Sequence, residues 1–209
     1  MPILLAALAD PAHARTVVCF GDSTSWLYPH ALEHMRPDWH VVSGARPGDV
    51  SSSQARLSAL LETHRPEVVV IMIGTNDVVL GRDGRPVVSR DPAVTAANVR
   101  VLAHTARRAG SRVLLLTQTP AACGRDCPVR QAHTREVAHR LVAWGLRRPP
   151  GITVADLRDE LTVHPWHELS DDGLHPNAAG ATFIATFVAT RLDDAGRSRR
   201  PRARRTSPR

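Results

Sequence analysis

The chain of 209 residues is long enough for one domain with a substantial core and too short for two. Its apolar fraction of 43% suits a folded soluble domain, and no run approaches the roughly eighteen continuous apolar residues that a bilayer span needs. The formal charge of +7 raises the question of an anionic partner, but segment 195–209 alone holds seven arginines and no acid. Removing those seven charges from +7 leaves 1–194 near zero, so the basicity belongs to the tail. That tail reads as a solvated, disordered end, and a nucleic-acid partner is disfavoured. All cationic residues are arginine, a coding bias that further weakens the tail as a sign of a selected binding surface.

Residues 1–14 read two ways. Ile3–Ala9 is apolar and Ala12-His13-Ala14 has the small-x-small form of a signal cleavage site, yet no Lys or Arg precedes the run. The segment is therefore an N-terminal extension or a truncated signal segment, and a cytoplasmic or a secreted location stays open. Residues 15–194 form the predicted folded domain.

In chain order, Thr16–Phe20 is the first predicted strand, with Cys19 buried in it, and Gly21-Asp22-Ser23 follows before a predicted helix at Trp26–Met35. Trp39–Ser43 is the second strand, with Gly44 just past its end, followed by a helix at Ser52–His64. Glu67–Ile73 is continuously apolar at its centre, as expected of a strand buried on both faces, and runs into Gly74-Thr75-Asn76-Asp77. The helix Pro92–Ala109 has clear punctuation: Asp91 as N-cap, Pro92 at the first helical position and Gly110 past the end. Strand Arg112–Thr117, helix Pro128–Leu146, strand Ile152–Ala155 and helix Asn177–Leu192 complete the alternation. Such alternation predicts an α/β fold, a three-layer α/β/α sandwich around a five-stranded parallel sheet. Right-handed crossovers then place every strand's carboxyl end on one edge, where such sheets bind ligands.

Cys123 and Cys127 flank Gly-Arg-Asp and would pair in an exported protein; they lack further ligands at zinc spacing.

Four polar clusters converge on that edge. Ser23 alone would read as a helix cap; as a nucleophile on a tight turn it needs a base, since a serine hydroxyl is weak on its own. His175 is the candidate because Asp172, three residues earlier, can accept from Nδ1–H and turn Nε2 toward the serine. The other reading of Asp172 is a turn cap. Asn76 alone reads as a turn residue; in a site it would donate its amide to an oxyanion, with the backbone N–H groups of Ser23 and Gly44 as further donors.

These blocks, Gly21-Asp22-Ser23, Gly44, Gly74-Thr75-Asn76-Asp77 and Asp172-Gly173-Leu174-His175-Pro176, resemble those of the SGNH/GDSL hydrolases, over about Thr16 to Leu192. The resemblance implies a flavodoxin-like sandwich and ester hydrolysis through an acyl-enzyme. Ser23 would be the nucleophile, His175 the base and then acid, and Asp172 its orienter, with Ser23, Gly44 and Asn76 as the oxyanion hole. No metal and no organic cofactor is expected. Thr24 stands where leucine is usual, Ser43 where asparagine usually precedes the glycine, and Asp49 where threonine is common. The last two put the local support of the oxyanion loop in question.

The loops Val78–Arg90, with Arg82, Asp83 and Arg85, Pro120–Cys127, and Asp156–Asp171, with Trp166 and His167, should shape the pocket. None is rich in large apolar side chains, which favours a small-molecule ester with a short acyl chain, acetyl included. Thioesterase, lysophospholipase or acyltransferase activity on the same triad is the alternative within the class; a non-catalytic binding protein using the basic tail is the alternative outside it. The oligomeric state is not set by the sequence.

Overall fold

In chain order the elements are β1 (Arg15–Gly21), α1 (Tyr28–Met35), β2 (Trp39–Ala45), α2 (Gln54–His64), β3 (Val68–Met72), β4 (Val78–Leu80), β5 (Pro86–Val88) and α3 (Pro92–Arg108). They continue with β6 (Arg112–Leu116), α4 (Cys127–Gly145), β7 (Ile152–Ala155), α5 (Leu157–Thr162), α6 (Trp166–Leu169) and α7 (Ala178–Arg197). This computed structural model describes residues 15–80, 86–123 and 127–197. Segment 1–14, the loop residues Arg82, Asp83 and Arg85, and the tail past Arg197 lie outside the described residues.

The sheet is parallel with strand order β2-β1-β3-β6-β7, the flavodoxin-like arrangement. In β3 all five residues are buried, and their alternation feeds two cores. Val68, Val70 and Met72 join Val17 and Cys19 under α1 and α7, while Val69 and Ile71 join Val18 and Phe20 under α2, α3 and α4. Burial in the first core also pushes the Cys19 thiol up to about 12, so it behaves as an apolar side chain.

The α3 punctuation holds: the Asp91 carboxylate accepts from Ala93 N–H at 2.7 Å, Pro92 opens the helix and Gly110 has φ +96°. Two predicted loops carry structure of their own. Residues 78–90 hold the antiparallel hairpin β4–β5, and 156–171 hold α5 and α6. The third, Pro120–Cys127, ends in a Cys123–Cys127 disulfide that opens α4. The helix predicted to stop at Leu192 runs on to Arg197, past the boundary drawn at 194.

Candidate active site

β1 has neighbours β2 and β3 on either side, so the chain departs in opposite directions at its carboxyl end, and the crevice there is where open α/β sheets bind ligands. Gly21 ends β1 under tight enclosure: an added Cβ would stand 2.1 Å from Ser25 Oγ and 2.3 Å from the Met72 carbonyl. The chain then makes a single 3₁₀ turn, Ser23–Ser25, before α1 begins at Tyr28. Asp22, not Ser23, caps this turn. Its Oδ1 accepts from Thr24 N–H at 3.0 Å and from the Thr24 hydroxyl at 2.7 Å, and its Oδ2 accepts from Thr75 N–H at 3.3 Å. Burial pushes the Asp22 carboxyl up, and these donors pull against that rise without cancelling it.

Relieved of capping, the Ser23 hydroxyl lies 2.9 Å from His175 Nε2. His175 Nδ1 lies 2.6 Å from Asp172 Oδ2. An ionised carboxylate can only accept, so Nδ1 carries the proton and Nε2 is left to accept from Ser23. The other oxygen of Asp172 accepts from Leu174 N–H at 2.8 Å and His175 N–H at 2.7 Å. The two sequence readings of Asp172 thus coexist, one oxygen each. Partial desolvation pushes the Asp172 carboxyl up, but the His175 ring and the two backbone donors outweigh it and hold the group well below the usual carboxylate range.

The turn carrying this pair is seated by Gly173, at φ +75°, whose carbonyl accepts from Ala122 N–H at 2.7 Å and from Trp166 Nε1 at 3.0 Å. A Cβ at Gly173 would stand 2.4 Å from the Ala122 carbonyl, so glycine is required there by both conformation and space.

Asn76 sits in the 3₁₀ turn Thr75–Asp77 that follows β3, and its Nδ2 donates to the Asp49 carbonyl at 3.0 Å. An amide nitrogen carries two protons, so one remains for a second acceptor. Gly44 is placed differently from expectation. It is buried inside β2, in register with Phe20, and an added Cβ would stand 2.8 Å from Leu60. The ladder's next rung is Arg46 N–H to the Gly21 carbonyl at 3.0 Å, and alternation in a parallel pair then turns the Gly44 N–H into the sheet. The glycine at the rim is Gly48, exposed and at φ +81° in the turn Arg46-Pro47-Gly48-Asp49, which Asp49 N–H closes onto the Arg46 carbonyl at 3.2 Å. The Gly48 N–H makes no hydrogen bond among the described residues, and Gly48 adjoins the residue that holds Asn76.

Several supporting residues have no role assigned by the sequence. Asp77 is fully buried and accepts from Ser51 N–H at 3.1 Å and the Thr95 hydroxyl at 2.6 Å. Arg130 donates to the Thr75 carbonyl, and Arg158 donates to the Thr119 carbonyl at 3.0 Å under the loop that seats Gly173. Burial lowers the Arg158 guanidinium to about 10. Among the described residues no group of three or more His, Cys, Asp or Glu could hold a metal ion, and no helix is long and apolar enough to cross a membrane.

The pattern of the GDSL-like Lipase/Acylhydrolase family matches residues 14–183. An arylesterase of Vibrio mimicus is 29% identical over 192 residues, covering 90% of this chain and 87% of that protein. The Escherichia coli K12 protein named thioesterase 1/protease 1/lysophospholipase L1 is 28% identical over 206 residues, covering 92% of this chain and 91% of its own. Among solved structures, a carbohydrate esterase family 3 protein from Talaromyces cellulolyticus superposes with TM-score 0.69 at 17% identity, covering 88% of this chain and 99% of that one.

Proposed function

Because the chain belongs to the GDSL-like lipase/acylhydrolase family and is a carboxylic ester hydrolase, we propose that Ser23 is its nucleophile, His175 its general base and then acid, and Asp172 the group that orients the imidazole. The observation that carries this reading is the unbroken hydrogen-bonded chain from the Ser23 hydroxyl through His175 to Asp172. Ser23 Oγ attacks the ester carbonyl as its proton passes to Nε2, and the same proton leaves with the alcohol. Water then repeats the sequence on the acyl-enzyme. The developing oxyanion is held by the Ser23 N–H and the Asn76 amide; we assign the glycine donor to Gly48 in place of Gly44, whose N–H faces the sheet.

The substrate is proposed to be a small ester with a short acyl chain, acetyl included. Exposed Trp26, three residues after Ser23, and exposed Val79, Val87 and Val88 on the β4–β5 hairpin supply apolar surface of modest extent. A thioesterase or lysophospholipase reading is favoured by one finding, the name of the Escherichia coli relative. Acyl transfer would need a second acceptor to intercept the same acyl-enzyme. The domain proper is proposed to begin at residue 15, and the arginine-rich end to play no part in turnover; neither nucleic acid nor a second copy is part of the proposal.

A panel of p-nitrophenyl esters from acetyl to dodecanoyl, assayed on wild type, Ser23→Ala and a truncation after Arg197, tests the reading. It predicts best turnover on the shortest esters, full activity in the truncated chain and a loss of about 10³-fold or more in Ser23→Ala. A long-chain optimum replaces the short-chain reading with the lysophospholipase one, and full activity in Ser23→Ala removes Ser23 from the mechanism.

A further inference from the structure

The Asp49 carboxylate accepts from Arg56 Nε. Arg56 stands at the third position of α2, facing the carboxyl ends of β1 and β2. Its Nη1 donates to the Gly44 carbonyl and its Nη2 to the Gly21 carbonyl at 3.1 Å. The guanidinium also lies 4.2 Å from the centroid of the Phe20 ring. Both side chains are largely enclosed, Arg56 21% and Asp49 12% exposed. The Asp49 backbone carbonyl, in turn, is the acceptor of the Asn76 amide.

One guanidinium therefore reaches three segments at once. It holds the strand end that leads into Ser23, the end of β2, and the residue that lies between Gly48 and the Asn76 amide. We propose that Arg56, with Asp49 as its counter-ion, is the positioning residue that locks the oxyanion donors from separate strand ends into one frame. This inference rests on the reading of Ser23, Gly48 and Asn76 as those donors. Arg56 touches no substrate and acts through Asp49 and the two backbone carbonyls.

The physical reason lies in the fork. A guanidinium presents five N–H donors in a fixed plane, so Nε, Nη1 and Nη2 can be spent on three acceptors while their mutual geometry stays fixed. A lysine offers a single point charge on a flexible stem and cannot hold all three. Donors to an oxyanion act by preorganisation, and small misplacements cost rate without abolishing binding. Removing one partner of so enclosed a pair leaves the other without its counter-charge, so stability falls along with rate, and the kinetic effect has to be read per intact active site.

The test uses p-nitrophenyl acetate with wild type, Ser23→Ala, Arg56→Met, Arg56→Lys, Asp49→Asn, Asn76→Ala and Arg56→Met/Asn76→Ala. Rates are taken per active site titrated with a fluorophosphonate, or per mole of protein for Ser23→Ala, which has no nucleophile to titrate, and thermal midpoints are recorded. In Arg56→Met, kcat per titrated site should fall about 10–100-fold with KM within about 3-fold, and Arg56→Lys should restore little. The double variant should lose clearly less than the product of the two single losses, because Arg56 acts in part through that amide. Should Arg56→Met not fold, Asp49→Asn carries the test with an expected loss of about 5–10-fold in kcat and an unchanged KM. Full kcat per titrated site in the Arg56 and Asp49 variants, whatever their thermal midpoints, overturns the inference, as does a double variant whose losses multiply. Full turnover by Ser23→Ala would bring down the underlying reading as well, whereas an inactive Ser23→Ala beside a fully active Arg56→Met brings down this inference alone.

Discussion

The two halves of the candidate site are built in opposite ways. The Ser23 and Asn76 side, itself half-buried, rests on buried residues and is stitched across long stretches of chain: Asp22 reaches Thr75, Asp77 reaches Ser51 and Thr95, and Arg56 reaches Gly21 and Gly44. The His175 side is local and open. Asp172 and His175 are three residues apart, with side chains 56% and 43% exposed, and their turn is closed mostly on itself. Besides the Ser23 contact, its attachments to other loops among the described residues run through the Gly173 carbonyl to Ala122 and Trp166. The anion-holding half is thus anchored in the core, while the proton-handling half is a turn laid on top of it. Rate and stability should therefore separate in one half and fall together in the other.

The sharpest attempt to break that contrast is Asp172→Asn. Removing the acceptor that fixes the imidazole tautomer should cost about 10³–10⁴-fold in kcat, with a thermal midpoint within about 2 °C of wild type, because the side chain is exposed. A large loss of stability would show that the turn is integral to the fold after all. Asp22→Asn probes the other half. An amide NH₂ cannot accept from Thr75 N–H, and a buried donor left unpaired costs about 1–3 kcal/mol. That should appear as a fall of several °C in thermal midpoint together with a loss of about 10-fold in kcat as the Thr75–Asn76 turn shifts.

A smaller effect is expected at the disulfide. Cys123 adjoins Ala122, which seats Gly173, so reduction or Cys127→Ser should lower kcat only about 2–5-fold through a looser turn. The smallest effect is in the pH dependence of stability, where the two carboxylates carry opposite signs. Asp172 is held below its ordinary value, so its contribution is complete above about pH 4 and lost as pH falls through the lower folded value. Asp22 is raised, so the folded state binds more protons than the unfolded one above about pH 4, and the contribution declines as pH rises through that window. On acidification from pH 7, the gap in thermal midpoint between wild type and Asp22→Asn should widen. The gap for Asp172→Asn should stay flat and shrink only below about pH 4.

Most of the scaffold was readable because its signals are local. Short apolar runs mark the strands, and caps such as Asp91-Pro92 mark a helix start. The β4–β5 hairpin was missed because each strand has only three residues, too few for a periodic pattern, although Gly81-Arg82-Asp83-Gly84 stands between them as a turn signal. The sequence pattern ends β2 at Ser43, which puts Gly44 at the rim. The strand runs two residues further, to Ala45, and that carries the rim on to the Pro47-Gly48 turn. The Pro-Gly pair was the available clue. Arg56, Arg130 and Arg158 were beyond reach for a different reason: their acceptors are mostly backbone carbonyls, which have no residue identity to read.

The most direct measurement is to trap the acyl-enzyme. Brief exposure to p-nitrophenyl acetate, acid quenching and peptide mass spectrometry should find one acetyl group on Ser23 in wild type. His175→Ala should accumulate it at least about 10²-fold more slowly. An acetyl group on another residue, or full turnover with Ser23 replaced by alanine, would contradict the account.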